Sequence, residues 1–288
     1  MVQSYLRVGT FMVGVAVACG VMAQNSRMIS IDPAGENTRV YLSYVDATAE
    51  DNFARMFEIP RYQDYRPYAL LLTNSSGKAI VALTIRWIGT SAGKSGVFDS
   101  SSDSLLSGAP TGGSSMTMLQ RPIHGQTQVQ LGQSYQSANG PEVIANGERM
   151  LVAPGLFARE SVAKVRGNAG GSSSMPLALQ SAESVSATLD AVVLEDGEVL
   201  GPDASHTVDA LLSRKAAIDG VVSAVRAAER NGQDGVEALR QLANAQPTRD
   251  QNPLARQQST IARVLMSQRQ WREQLEKLAA LQLPRFYR

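Results

Sequence analysis

The chain holds one cysteine and two histidines in 288 residues. A single thiol makes no intramolecular disulfide, and Cys19 lies inside an apolar N-terminal run, so the remainder has no thiolate for a metal. Two imidazoles, His124 and His206, are too few for a multi-histidine zinc centre. Charge is also sparse: 18% of residues are charged, the formal net charge is +1, and the basic residues are spread along the chain. That pattern offers no footprint for nucleic acid and no pull toward a strongly acidic partner. What is abundant is apolar sequence, 43% of the chain, enough for one sizeable domain or two small ones.

The first 23 residues read as an export signal. Arg7 supplies the basic end, Val8 to Cys19 the apolar run, and Val21-Met22-Ala23 the small-x-small step that signal peptidase reads, with cleavage expected before Gln24. The run is shorter than the ~20 residues of a spanning helix. An alternative makes Cys19 the lipidated residue of a lipoprotein, since Ala16-Val17-Ala18 precedes it and Gly20 follows. Against that, the leucine usual three residues ahead is missing.

Residues 24–66 form an N-terminal segment, with an edge strand over Arg39 to Val45 and a short helix over Ala49 to Phe57. Tyr62, Tyr65 and Tyr68 crowd around Pro60 and Pro67. They are expected to cover the edge of a core with their hydroxyls in water, a ligand groove being the other reading. The strongest pattern runs from Pro67 to Trp87: two strands flank Asn74-Ser75-Ser76-Gly77 as a hairpin, Asn and Gly both tolerating left-handed backbone. Val81, Leu83, Ile85 and Trp87 alternate with Ala82, Thr84 and Arg86, as in a half-buried strand. Asn74-Ser75-Ser76 also fits the glycosylation acceptor pattern, but a turn is the expected meaning.

Two motifs after Trp87 mimic chemistry. Gly89-Thr90-Ser91-Ala92-Gly93 fits G-x-S-x-G, with Asp190 and His206 as nominal partners for Ser91. That elbow needs a helix after the serine, and the Gly/Ser-rich sequence that follows supplies none. Gly89 to Ser95 brushes against a phosphate loop, but Ile88 stands where the first glycine belongs, so no nucleotide site is expected. Residues 89–115 are expected to be a flexible insert, with Leu105, Leu106, Met116, Met118 and Leu119 as its contact points if it has a role.

Further strands are expected at Thr127 to Leu131, at Arg149 to Ala153, and from Val185 to Glu195, separated by a soft Gly167–Ser174 stretch. Asp196-Gly197 turns the last of these into Glu198-Val199-Leu200. Asp190, Glu195, Asp196, Glu198 and Asp203 lack calcium-loop spacing and are expected to be solvated acids of a polar face and its turns. Beyond Gly201-Pro202 the pattern becomes helical. Thr207 is the expected cap of a helix striped by Val208, Leu211, Leu212, Lys215, Ile218, Val222 and Val225, ending at Asn231-Gly232. Val236, Leu239 and Leu242 mark a short helix before Pro247. Asn252-Pro253 opens a long one running toward Gln282, with Glu273 and Lys277 paired across one turn.

The run Leu71-Leu72-Thr73-Asn74-Ser75-Ser76-Gly77-Lys78-Ala79-Ile80 ending in Trp87, with Leu189 to Gly197 and Gly201-Pro202-Asp203, resembles uncharacterised exported bacterial proteins that join a sandwich-like region to a helical tail. The resemblance covers roughly half the chain and implies a fold without an activity. The expected architecture is β-rich α+β: an immunoglobulin/fibronectin-like antiparallel β-sandwich over 67–202, then an α-helical region over 203–288. No catalytic, cofactor or metal residue is assigned. The expected role is an exported, non-catalytic cell-envelope protein acting by binding or assembly, with another envelope protein met through the C-terminal helices. The alternatives are a serine hydrolase using Ser91 and a lipoprotein anchored at Cys19.

Overall fold

The computed structural model describes residues 28–32, 37–45, 63–91, 94–106, 118–122, 143–154, 156–159, 179, 182–245 and 252–288. The expected export signal with Cys19, the helix expected at Ala49 to Phe57, Tyr62, Met116, His124, the strand expected at Thr127 to Leu131 and the Gly167–Ser174 stretch lie outside those residues.

Among the described residues, ten strands form two sheets: β1 (Met28–Ile31), β2 (Val40–Tyr44), β3 (Leu70–Asn74), β4 (Ile80–Ser91), β5 (Lys94–Asp103), β6 (Met118–Pro122), β7 (Arg149–Ala153), β8 (Leu156–Arg159), β9 (Ser184–Leu194) and β10 (Val199–Leu200). The larger sheet runs β1-β9-β4-β5-β6 with β10 on β9, and the smaller runs β2-β3-β7-β8. Every pairing is antiparallel except β1 on β9. Four α-helices follow among the described residues: α1 (Thr207–Arg230), α2 (Gly235–Asn244), α3 (Pro253–Met266) and α4 (Trp271–Ala280). The chain is thus a sandwich-like α+β protein.

Two apolar cores lie on opposite sides of the larger sheet. The first joins it to the smaller sheet through residues such as Leu70, Leu72 and Val152 against Ile85, Trp87 and Leu189. The second joins Val81, Ala82, Val193 and Val199 to the helices through Leu211, Ile218, Val221, Leu239, Ile261, Leu265 and Leu278. The larger sheet is the shared wall. Trp87 is fully buried in the first core, and its indole N–H donates to Ser100 Oγ at 3.0 Å.

The expected hairpin at Asn74–Gly77 is instead a crossing between sheets, because β3 pairs in the smaller sheet and β4 in the larger. Asn74 holds the crossing together. It is fully buried, and its Nδ2 donates to the carbonyls of Lys78 (2.9 Å), Ile144 (2.9 Å) and Ala145 (3.1 Å). Gly77 takes φ +79°, the left-handed value the turn requires.

The period-two pattern breaks twice. Ile80 and Ala82 face Leu194 and Val193, so Val81 is an extra residue on β4. Thr84 and Ile85 face Ala191 and Leu189, so Asp190 is an extra residue on β9. Hence Val81 leaves the face of Leu83, Ile85 and Trp87 and joins the second core, as does Val193.

Other expectations are corrected locally. Residues 94–103 of the supposed flexible insert form β5, pairing with β4 over its whole length; backbone ladder bonds order a serine-rich strand that side-chain burial alone would not. Leu106 is fully buried in the second core, not a free contact point. Tyr65 and Tyr68 are buried too, and the Tyr68 hydroxyl donates to Leu179 O at 3.1 Å, not to water. The long terminal helix is two, because Ser267 closes α3: its N–H reaches Arg263 O and Val264 O, and its hydroxyl donates to Val264 O at 2.7 Å. In α1, Leu212 is 49% exposed, off the buried stripe.

Candidate functional site

The second face of the larger sheet carries polar residues where a sandwich wall would normally be covered by apolar ones. Cross-strand register arranges them in rows. Thr188, Arg86 and Asp99 lie side by side on β9, β4 and β5. The next row is Ser30, Ser186, Ile88 and Val97, and the outermost is Ser184, Thr90 and Ser95. The two outer rows are half-buried or exposed, whereas Thr188 and Asp99 are buried. The face therefore grades from a hydroxyl-lined shelf into a buried charged row beneath the start of α1.

In that row the Arg86 guanidinium donates from Nε to Asp99 Oδ1 at 2.9 Å and from Nη2 to Oδ2 at 3.3 Å, a two-pronged pairing. Nη1 stands 3.8 Å from Asp190 Oδ1. Burial works against the guanidinium charge, but the hydrogen bond and charge of Asp99 outweigh it and hold Arg86 above the ordinary arginine value.

Asp190 is 1% exposed and accepts from two backbone amides, Ala204 N at 2.9 Å and Ser205 N at 2.8 Å. The bulge is what aims it there. Asp203 Oδ1 accepts Thr207 N at 2.6 Å, so Asp203, not Thr207, caps α1; His206 is the residue at the cap position. A buried chain of hydroxyls, Ser101–Thr84–Thr207–Ser205, links β5 and β4 to the helix start at 3.0, 2.7 and 2.9 Å. These side chains lock the β10–α1 connection onto the sheet.

A second cluster lies at the β9–β10 turn. Glu198 takes both prongs of Arg39 at 2.6 and 3.1 Å, and Lys78 Nζ reaches Asp196 at 2.6 Å and Glu198 at 3.1 Å. The Tyr287 hydroxyl donates to Asp196 Oδ2 at 2.5 Å. Hydrogen bonds from Lys78 and then Tyr287 hold Asp196 down at about 2. Arg39 and then Lys78 lower Glu198, and those two cations are raised in return. Tyr287 is raised, chiefly by its bond to Asp196.

The residues nominated from sequence are not assembled into a reaction centre. Ser91 pairs with Lys94 at the tip of the β4–β5 hairpin. Asp190 lies beside Thr84, about 24 Å back along the strand at ~3.4 Å per residue. His206 is 66% exposed at its side chain, with Nδ1 3.3 Å from Asp209. The acids expected in solvent are largely committed elsewhere: Asp190 and Asp203 are buried clamps, while Asp196 and Glu198 are ion-paired. Glu195 Oε1 accepts Ala79 N at 3.2 Å. Asn74, its amide spent on carbonyls, has no free nitrogen to carry a glycan in the folded chain. Among the described residues, no group of three metal-ligating side chains converges and no helix is long and apolar enough to cross a membrane.

Sequence reasoning left Asp99, Arg39, Lys78 and Tyr287 unnoticed. Arg86 on an otherwise apolar strand was the one usable signal, since a charge alternating with core residues asks for a counter-charge on the neighbouring strand. Comparison with family models, with curated proteins and with solved structures found no match.

Proposed function

We propose that this is an exported, non-catalytic protein of the cell envelope that works by binding or assembly. The observation that carries the reading is Asp190. It is the buried carboxylate with the strongest claim to chemistry, and both its oxygens are taken by the amides of Ala204 and Ser205. Its neighbour Arg86 is likewise spent on Asp99. Such groups orient elements; a reacting group needs a free oxygen facing substrate.

The surfaces available for binding are flat. One is the hydroxyl shelf of Ser30, Ser184, Ser186, Thr90 and Ser95. Another is the helical layer, where Leu212, Leu254 and Met266 are exposed at 49%, 37% and 38%, the face on which we place an envelope partner. The finer assignment, an immunoglobulin- or fibronectin-like sandwich, draws support from the crossing between sheets at Asn74. The order β2-β3-β7-β8, with β8 outside β7, marks it as irregular.

Two experiments test this. Mass spectrometry of protein recovered from envelope fractions is expected to find an N-terminus at Gln24; a lipidated Cys19 would establish the anchored alternative, and an intact N-terminus in the cytoplasm would refute export. A fluorophosphonate probe is expected to leave the protein unlabelled. Labelling that vanishes in Ser91→Ala would replace the binding reading with a hydrolase.

A further inference from the structure

Residues 283–288 lie against the β9–β10 turn, joined to it by an isolated parallel bridge. Val199 N–H donates to Tyr287 O at 2.8 Å and Tyr287 N–H to Gly197 O at 3.1 Å, a parallel bridge on the outer edge of β10. Phe286 and Leu283 pack against the rim of the second core, the Tyr287 hydroxyl meets Asp196, and Arg288 stands 3.6 Å from Asp203. Gly197 makes room for the segment: a Cβ there would lie 2.3 Å from Arg285 O.

The two sides of this contact differ in how firmly each is built. The receiving edge is fixed by the Arg39–Glu198 and Lys78–Asp196 pairs and by a glycine turn at φ +94°. The segment it receives stays at the surface: none of residues 281–288 is buried, Tyr287 is 47% exposed, and a single bridge pairs its backbone to the edge. A preorganised receptor with a lightly held occupant is the arrangement in which one extended segment exchanges for another, with main-chain bonds giving affinity and side-chain contacts giving selection.

We propose that Asp196–Val199 is a docking edge for an extended peptide of a partner polypeptide, and that Leu283–Arg288 occupies it in cis as a competing internal ligand. The peptide it fits lies parallel to β10, with an apolar or aromatic residue toward the helical layer, a tyrosine whose hydroxyl reaches Asp196, and a following basic residue toward Asp203. Asp196, held ionised down to about pH 2 by Lys78, is ready to accept that hydroxyl throughout the neutral range. The proposal rests on the binding reading for its biological sense, but its test touches neither export nor Ser91, so the two can fail separately.

The test uses the full chain and a fluorescein-labelled peptide of the sequence 282–288, followed by anisotropy. Tyr287→Ala weakens the internal strand and leaves the receiving edge untouched. It is expected to bind the peptide at least tenfold more tightly than the unaltered chain. In native protein it should also raise the rate of trypsin cleavage after Arg285. Tyr287→Phe, which drops only the hydroxyl, should move both readouts the same way by less. Adding Asp196→Asn to Tyr287→Ala should lower peptide affinity several-fold, and adding Gly197→Ala should abolish binding. Equal binding to the unaltered chain and Tyr287→Ala, or binding that survives Gly197→Ala, would overturn the proposal.

Discussion

Asn74 sets the sharpest stability test. Its side chain meets five hydrogen-bond partners at the point where the chain leaves one sheet for the other: the two N–H of Nδ2 are shared among three carbonyls, and Oδ1 accepts from Ser76 N and Ser76 Oγ. Removing the side chain does not orphan every partner. Lys78 O keeps Ser76 Oγ, Ile144 O keeps Ile80 N, and Ala145 O keeps Glu148 N. The loss is therefore nearer three net hydrogen bonds than three unsatisfied carbonyls. At about 1 kcal/mol each, Asn74→Ala should cost about 3 kcal/mol. Asn74→Asp is nearly isosteric and keeps Oδ1, yet it turns the donor into an acceptor facing three carbonyls inside the protein. It should cost more, about 4 kcal/mol at pH 7. Urea unfolding followed by tryptophan fluorescence reads both. With a slope of about 2 kcal/mol/M, the Ala variant should shift the midpoint by about 1.5 M. Protonation would restore a donor to the aspartate, so the Asp variant should regain stability relative to the unaltered chain as pH falls toward 4. A midpoint shift under about 0.3 M, or an Asp variant milder than the Ala variant, would refute this account of the crossing.

Three other expectations follow from the same contacts. Trp87→Ala empties the centre of the first core and should cost about 3–5 kcal/mol; a melting temperature within a degree or two of the unaltered protein would contradict that. Gly197→Ala and Gly147→Ala each force alanine to a positive φ, +94° and +80°, at about 1 kcal/mol apiece, but only the first meets another chain segment. Hydrogen exchange at Tyr287 should accordingly rise in Gly197→Ala alone, and equal rises would dismiss the steric argument. Asp196 is lowered on folding to about 2, so its contribution is full above its unfolded value near 3.8 and is lost as pH falls through 2. Tyr287 is raised, so its contribution is full below 10.0 and is lost above its folded value. Protection of the Val199 amide should hold between about pH 4 and 10 and decline on either side; a flat profile, or one unchanged by Asp196→Asn, would count against the cluster.

Strands and helices were legible wherever one side chain decided the local choice. Asn252 accepts Ala255 N and Pro253 takes the first helical position; Gly232, at φ +72°, ends α1; Glu273 meets Lys277 at 2.8 Å. Val40–Tyr44 and Arg149–Ala153 fall where alternation put them. What was hidden depended on partners far off in sequence. β5 reads as a Gly/Ser insert because its order comes from pairing with β4 and from Asp99 meeting Arg86, neither of which leaves a periodic mark. Tyr65 and Tyr68 look like rim residues because the backbone acceptor for Tyr68 lies at residue 179. The acids looked solvated for the same reason: the amides that claim Asp190 belong to residues 204 and 205, beyond the turn.

The two extra residues in the β4–β9 pair decide which apolar side chains serve each of the two cores the larger sheet divides. Without them, strict alternation would keep Val81 on the face of Leu83 and Val193 on the face of Leu189, and would turn Ile80, Val192 and Leu194 to the other face. Inserting Val81 turns it to the second face beside Ala82, and inserting Asp190 shifts the phase so that Val193 points the same way. Between the bulges the second face is apolar enough to hold α1. Beyond Asp190 it returns to Thr188, which is buried, and then to Ser186 and Ser184, which are half-buried and exposed. The boundary between the helix-covered half and the hydroxyl shelf thus falls at Asp190, the residue whose carboxylate fastens the start of α1. One bulged residue thus both sets the phase of β9 and fastens the start of the helical layer.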